Sequence, residues 1–264
     1  MLDARGSALL VRGAPRVTGW LAIVVVALLL AVALQAATGF GFALLAGPSL
    51  YSVMAPDHAV ALLLILGLCV NVLVLAGERR ALAVDWHGLV PAMLAALPGL
   101  PIGALLVRTL PAGALRVAIG VIVCALVAHR LLRRAPAGRL PPGRLTAGVA
   151  GFSAGVLTTS TTTNGPPLAL WLGGRGLAPA VVRDTVSAAF LLLDFVGIGV
   201  VLAVVGPHRA LAEAIWLPAL IPVVLVGHLA GSWLFRRLPA HRYDQLLLLA
   251  VAAAGAVSIG SGLR

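Results

Sequence analysis

Long apolar runs alternate with short polar interruptions along this chain. The stretches 20–37, 59–76, 88–107, 214–235 and 245–263 contain no Asp, Glu, Lys or Arg. As helices, each is long enough to cross a hydrocarbon layer about 30 Å thick. Two uncharged runs are longer, 20–56 and 145–174. A continuous helix over 145–174 would reach about 45 Å, too long for one crossing and too short for two. It must therefore break, and Gly165-Pro166-Pro167 supplies the break, because proline lacks the helical N–H and restricts the residue before it. In the first run, Thr38-Gly39-Phe40-Gly41-Phe42 and Gly47-Pro48 do the same. The pattern predicts an all-α integral membrane protein, a polytopic bundle of about 7–9 spans.

The runs are also written twice. Pro56 precedes Asn71 as Pro179 precedes Asp194, and Gly103 and Leu110-Pro111 recur as Gly231 and Leu238-Pro239. Arg108 and Arg236 each stand three residues before that proline, and upstream Gly39-Phe40 pairs with Gly151-Phe152. This predicts an N-terminal tail at 1–19, a first transmembrane repeat at 20–132, a basic proline-rich cytoplasmic linker at 133–144 and a second repeat at 145–264. Internal duplication with broken helices is common in secondary transporters, whose substrate site lies between the repeats.

Composition agrees, with 61% hydrophobic and only 10% charged residues. The net charge of +11 comes from 19 arginines and no lysine. On a soluble protein it would suggest nucleic acid, but no basic, aromatic-interleaved face exists, and the arginines sit in short loops where they set orientation. Cys69 and Cys124 lie in apolar stretches without metal-ligand spacing, so neither a metal site nor a cofactor is expected. The segment ending in "AVALQAA" has the look of a cleavable signal peptide, but it opens the first repeat and is read as a span.

Unwound backbone at membrane depth is tolerated only where protein or a watery cavity satisfies it. The two breaks should therefore face each other, their half-helix N-termini directing N–H groups at an anion. The expected substrate-binding residues are Gly39, Phe40 and Gly41 from the first break. Ser160, Thr161, Thr162, Thr163, Asn164, Gly165 and Pro166 come from the second, with Asn71 beside them. A charge near mid-bilayer is costly and usually functional, which makes Asp194 and His228 proton-coupling candidates. Arg183, at the start of its helix, is an anion-attracting candidate or an interface anchor.

The arginine count divides equally between parallel and inverted repeats. The inverted arrangement is preferred because it places the cluster at 236–242 in the cytoplasm and lets the breaks meet at the midplane.

The motifs "GFGFALLAGP", "NGPPLALWL" and "LAPAVVRDTVSAAF" together resemble the sulfite exporter TauE/SafE family, over about residues 20–262. The resemblance implies a multi-pass transporter of the bacterial inner membrane, not an enzyme. It would export small anions such as sulfite, organosulfonates or related sulfur compounds. Second-repeat motifs of that family are usually richer in glycine than 158–163 here. The expected partners are the anion, the lipid bilayer and protons as coupling ion, with room for a homo-oligomer. Two alternatives stand beside the carrier: an anion channel using the same dipoles, and an intramembrane hydrolase pairing Ser153 with His228. The "GFSAG" match at 151–155 lacks the strand–turn–helix context that a nucleophile elbow requires.

Overall fold

The computed structural model describes residues 24–51, 54, 56–78, 80–109 and 143–239, with isolated positions between 113 and 128 and between 242 and 260. The expected tail at 1–19 and most of the linker, 133–142, lie outside the described residues. Among the described residues every regular element is helical. In chain order these are α1 (Val24–Thr38), α2 (Phe42–Tyr51), α3 (Pro56–Ala76), α4 (Trp86–Thr109), α5 (Arg144–Thr161), α6 (Gly165–Gly173) and α7 (Pro179–Val205). A single turn, α8 (Pro207–Ala210), and a 3-10 turn, Ala212–Trp216, lead into α9 (Leu217–Arg237). Among the described residues, four stretches are long and apolar enough to cross a membrane: His58–Ala76, Trp86–Leu106, Pro179–Val205 and Glu213–Arg237. Leu94, Leu105, Phe195 and Leu229 are among their exposed apolar side chains. In water such a surface would aggregate, so the bundle is a membrane protein whose rim faces hydrocarbon.

Lipid tails compete with apolar side chains, so helices in a bilayer associate chiefly through close packing of small residues. Here glycine backbones touch neighbouring carbonyls. A Cβ on Gly99 of α4 would come within 2.5 Å of the Phe152 carbonyl oxygen, and one on Gly151 or Gly155 of α5 would strike the Ala92 or Ala96 carbonyl. Contacts that advance together from Ala92–Gly151 to Ala96–Gly155 mean that α4 and α5 run parallel. Gly227 and Gly231 of α9 approach Leu29 and Ala33 of α1 in the same way, so this pair is parallel too.

These directions give the bundle two ends. His58 near the start of α3 pairs with Glu213 just before α9, while Phe235 near the end of α9 stacks under Arg183 at the start of α7. α3 and α9 thus run from one end to the other, α7 runs back, and α1 climbs beside α9. At Gly39 the chain turns, and α2 descends toward the start of α3. At the opposite end α5 enters beside α4, and α6 returns to it, since Arg175 just beyond α6 meets Asp85 at the start of α4.

Gly151 and Phe152 lie inside α5. Positive φ occurs at Gly39 (88°) and at Thr162 (58°). They are 123 residues apart (162 − 39), the interval that also separates Asn71 from Asp194.

Replacing Gly155 with leucine should overpack the α4–α5 seam and cost about 1–3 kcal/mol or more. Gly148 on the same helix has nothing within 4 Å of its would-be Cβ, so Gly148→Ala should be neutral. Thermal unfolding in detergent, followed by loss of monodisperse protein, distinguishes the two variants.

Candidate functional site

The two helix ends, at Thr38 and Thr161, are brought together near the middle of the bundle. Both are followed by a residue of positive φ, the left-handed conformation that glycine adopts freely and a β-branched residue resists. At Gly39 the glycine is doubly required, because a Cβ there would lie 2.9 Å from the Arg183 carbonyl oxygen. At Thr162 a threonine holds the strained conformation, and its Oγ1 donates to the Thr161 carbonyl at 2.6 Å. The second chain segment restarts as α6 with Pro166 and Pro167 in its first turn, so Gly165 retains an N–H there while the prolines have none. A Cβ on Gly165 would lie 2.8 Å from the Phe40 ring, so the two breaks pack on each other.

Between them is a cavity of about 20 Å³, lined by Gln35, Gly41, Phe42, Leu63, Leu64, Gly67, Thr162, Thr163, Asn164, Gly165 and Asp194, among others. It has room for about one water molecule. Asp194 lies about 22 Å along α7, itself about 40 Å long, and so sits near mid-depth. Its carboxylate accepts a hydrogen bond from Asn71 Nδ2 at 3.0 Å. Asn71 Oδ1 accepts from Gln35 Nε2 at 2.9 Å, and Gln35 Oε1 accepts the Phe42 N–H at 2.9 Å. A Cβ on Gly67 would lie 2.9 Å from Asp194 Oδ2, so that glycine makes the space the carboxylate occupies.

Thr158, Thr159, Thr161, Thr162 and Thr163 all donate to backbone carbonyls, Thr159 reaching across to Leu100 on α4 at 2.5 Å. In this state their protons satisfy the carbonyls of the broken α5 end and its neighbour, not the cavity. Asn164 Nδ2 donates back to Thr158 Oγ1 at 3.1 Å. Ser160 Oγ is buried without a partner among the described residues.

Arg183 lies away from the cavity. Fully buried, it donates from Nε to the Ala36 carbonyl at 2.7 Å, pairs with Glu78 and stacks on Phe235 at 4.2 Å. Asp184, equally buried, accepts both Arg80 nitrogens at 2.8 and 3.0 Å and the Ala83 N–H at 2.9 Å. Those bonds to Asp184 raise the Arg80 pKa above its ordinary value. Thr185 Oγ1 receives the Asp85 N–H, and Asp85 pairs with Arg175, whose guanidinium lies over Trp171. Three arginines and three carboxylates thus balance at one end of the bundle. Arg183 Nη2 is buried without a partner among the described residues.

The fold, the paired interruptions and the "RDT" network occupy the span over which a family model matches the chain, residues 23–258, described as sulfite exporter TauE/SafE. The chain belongs to the sulfite exporter TauE/SafE family. No curated protein and no solved structure matches it. This family comprises membrane transporters rather than enzymes. Ser153 donates to the Val149 and Ala150 carbonyls of its own helix, whereas His228 packs against Gly77, in the turn just after α3. His228 is buried, its Nδ1 has no partner among the described residues, and it stands apart from the lining of the Asp194 cavity.

Sequence reasoning missed Gln35, Glu78, Arg80, Asp85, Arg175 and Asp184. Gln35 had a signal, a lone amide three residues before the first break in an otherwise apolar helix. The loop charges were read only as determinants of orientation.

Arg80→Met should leave Asp184 buried without its partner and cost about 3 kcal/mol. Adding Asp184→Leu should recover much of that loss, because the uncompensated charge then disappears. A thermal-unfolding double-mutant cycle reads this directly, and two losses that simply add would contradict it.

Proposed function

We propose that this chain is a secondary carrier that exports small anions, sulfite, organosulfonates or related sulfur compounds, across the bacterial inner membrane. The observation that carries the reading is the meeting of two interrupted helices at one buried cavity beside a mid-depth carboxylate. Family membership supports the anionic substrate. The α1–α2 segment enters and leaves at one end, and α5–α6 at the other, which favours two inverted repeats with discontinuous helices at their interface.

Substrate binding falls to Gly39, Phe40 and Gly41 on one side and Ser160 through Pro166 on the other, with Asn71 linking to Asp194. A cavity the size of one water is smaller than sulfite, so transport requires the breaks to part and admit substrate. Parting also releases the threonine hydroxyls from their carbonyls and offers them as donors. Among the described residues Asp194 meets a neutral amide and no cation, so taking up a proton there removes an uncompensated charge from mid-membrane. That suits proton coupling and separates a carrier from a channel, whose flux needs no coupled gradient.

Proteoliposomes loaded with sulfite, sulfate, sulfoacetate or a carboxylate should show saturable flux that a pH gradient drives. Asp194→Asn should abolish pH-driven accumulation while leaving anion exchange largely intact. Unchanged pH dependence in that variant removes Asp194 from the mechanism. Topology has its own check. The end carrying Arg80, Arg175 and Arg236–Arg237 should face the cytoplasm. Reporters fused after Leu238 should therefore report the cytoplasm, and reporters after Gly206 the opposite side; the same side for both would contradict the inverted reading.

A further inference from the structure

From the order of the buried amides between α1 and α7, we infer that Gln35 is a positioning residue that transmits the protonation state of Asp194 to the backbone N–H of Phe42 at the start of α2. The inference rests on the transport reading only for its functional consequence.

The three hydrogen bonds form one line in which every donor points the same way. Phe42 N–H donates to Gln35, Gln35 Nε2 to Asn71, and Asn71 Nδ2 to Asp194, at 2.9, 2.9 and 3.0 Å. Gln35 and Asn71 are 3% and 0% exposed, so bulk water does not compete for their hydrogen bonds. An ionised carboxylate only accepts, which obliges Asn71 to turn its NH2 toward it. Asn71 then offers its oxygen to Gln35, and Gln35 its oxygen to Phe42. The charge at Asp194 thereby fixes the orientation of two amides and the partner of one backbone N–H across three helices.

A protonated carboxyl donates as well as accepts. Its O–H directed at Asn71 Oδ1 turns the Asn71 amide over, and the Gln35 amide must follow to keep its own bond. Gln35 then presents NH2 to Phe42 N–H. Two donors face each other, the contact is lost, and the Phe42 N–H is left exposed toward the cavity at the positive end of α2. An anion supplies the acceptor that Gln35 has withdrawn. Low pH therefore favours anion binding, and the proton and the anion occupy the protein together.

Among the described residues lining the cavity, nothing else charged faces the line. Around Asp194, α1 contributes Gln35, α2 Phe42 and Leu44, α3 Leu63, Leu64, Gly67 and Asn71, and the second break Thr162–Gly165. Among the described residues lining the cavity, Asp194 is the one titratable group. His228 is not part of that lining.

The test is amide hydrogen exchange of the 40–44 segment in the full-length protein, reconstituted in nanodiscs without any anion, from pH 5 to 9. Rates are corrected for intrinsic pH dependence. In the wild type, Phe42 should be protected at high pH and lose at least about tenfold of that protection at low pH, the loss expected for a hydrogen bond in a water-poor site. Asp194→Leu, which can neither ionise nor accept, should show no dependence of this protection on pH. Gln35→Met, which cannot accept, should be unprotected at every pH while keeping helical content and unfolding temperature. Wild-type protection that does not change with pH, or an Asp194→Leu variant whose protection still does, overturns the relay. In a second arm, affinity for methanesulfonate, whose charge is fixed over this range, should rise about tenfold toward low pH in the wild type and stay flat in Gln35→Met. Because the exchange arm needs no ligand, a protein that moves no anion yet shows the pH-dependent protection would refute the transport reading and leave the relay standing.

Discussion

Every backbone amide in a bilayer must find a partner inside the protein, because the surrounding hydrocarbon offers none. Two helix interruptions at membrane depth are therefore expensive, and the rest of this fold can be read as what makes them affordable. Thr38 returns its hydroxyl to the Leu34 and Phe40 carbonyls, and the threonines of 158–163 do the same at the second break. Gln35 takes the Phe42 N–H. Gly39 and Thr162 adopt left-handed backbone so that each chain can turn within three residues. Phe40 and Gly165 then close one break over the other.

The same constraint explains why the scaffold is glycine-rich where it is. Gly99, Gly151 and Gly155 bring α4 and α5 into backbone contact, and Gly227 and Gly231 do so for α9 and α1. Each broken segment is thereby held against a continuous helix along its length. At the arginine-rich end, Arg183 ties α7 to Glu78 and to the last carbonyls of α1, so the network and the first break share one anchor. A buried network of this kind adds little net stability over an apolar one, but its geometry fixes the relative height of α1, α3 and α7.

The apolar stretches that form four long helices, and the glycine and proline positions near which helices end, were legible in the sequence; the contact of Asn71 with Asp194 was not. Hydrocarbon thickness fixes helix length, and proline fixes where helices stop. The positive φ of Thr162 was not legible, because backbone dihedral sign leaves no trace in a threonine. The loop charges were illegible for another reason. Arg80 and Asp184 are 104 residues apart, and pairing at that distance depends on helix directions that composition does not carry. The threonine run was seen as chemistry, yet its donors are committed to carbonyls, since a sequence shows a hydroxyl but not its rotamer.

The central claim is that substrate passes between the two interruptions, which must separate for each cycle. Ala43 and Thr163 line the cavity from opposite breaks. In protein with Cys69 and Cys124 replaced by alanine, Ala43→Cys and Thr163→Cys together should be bridged within one chain by a short bis-maleimide. After removal of excess reagent, the bridged protein should show sulfite flux in proteoliposomes reduced to the leak of empty vesicles, while each single-cysteine protein treated alike keeps measurable flux. Bridged protein that transports sulfite at the unmodified rate would contradict the account.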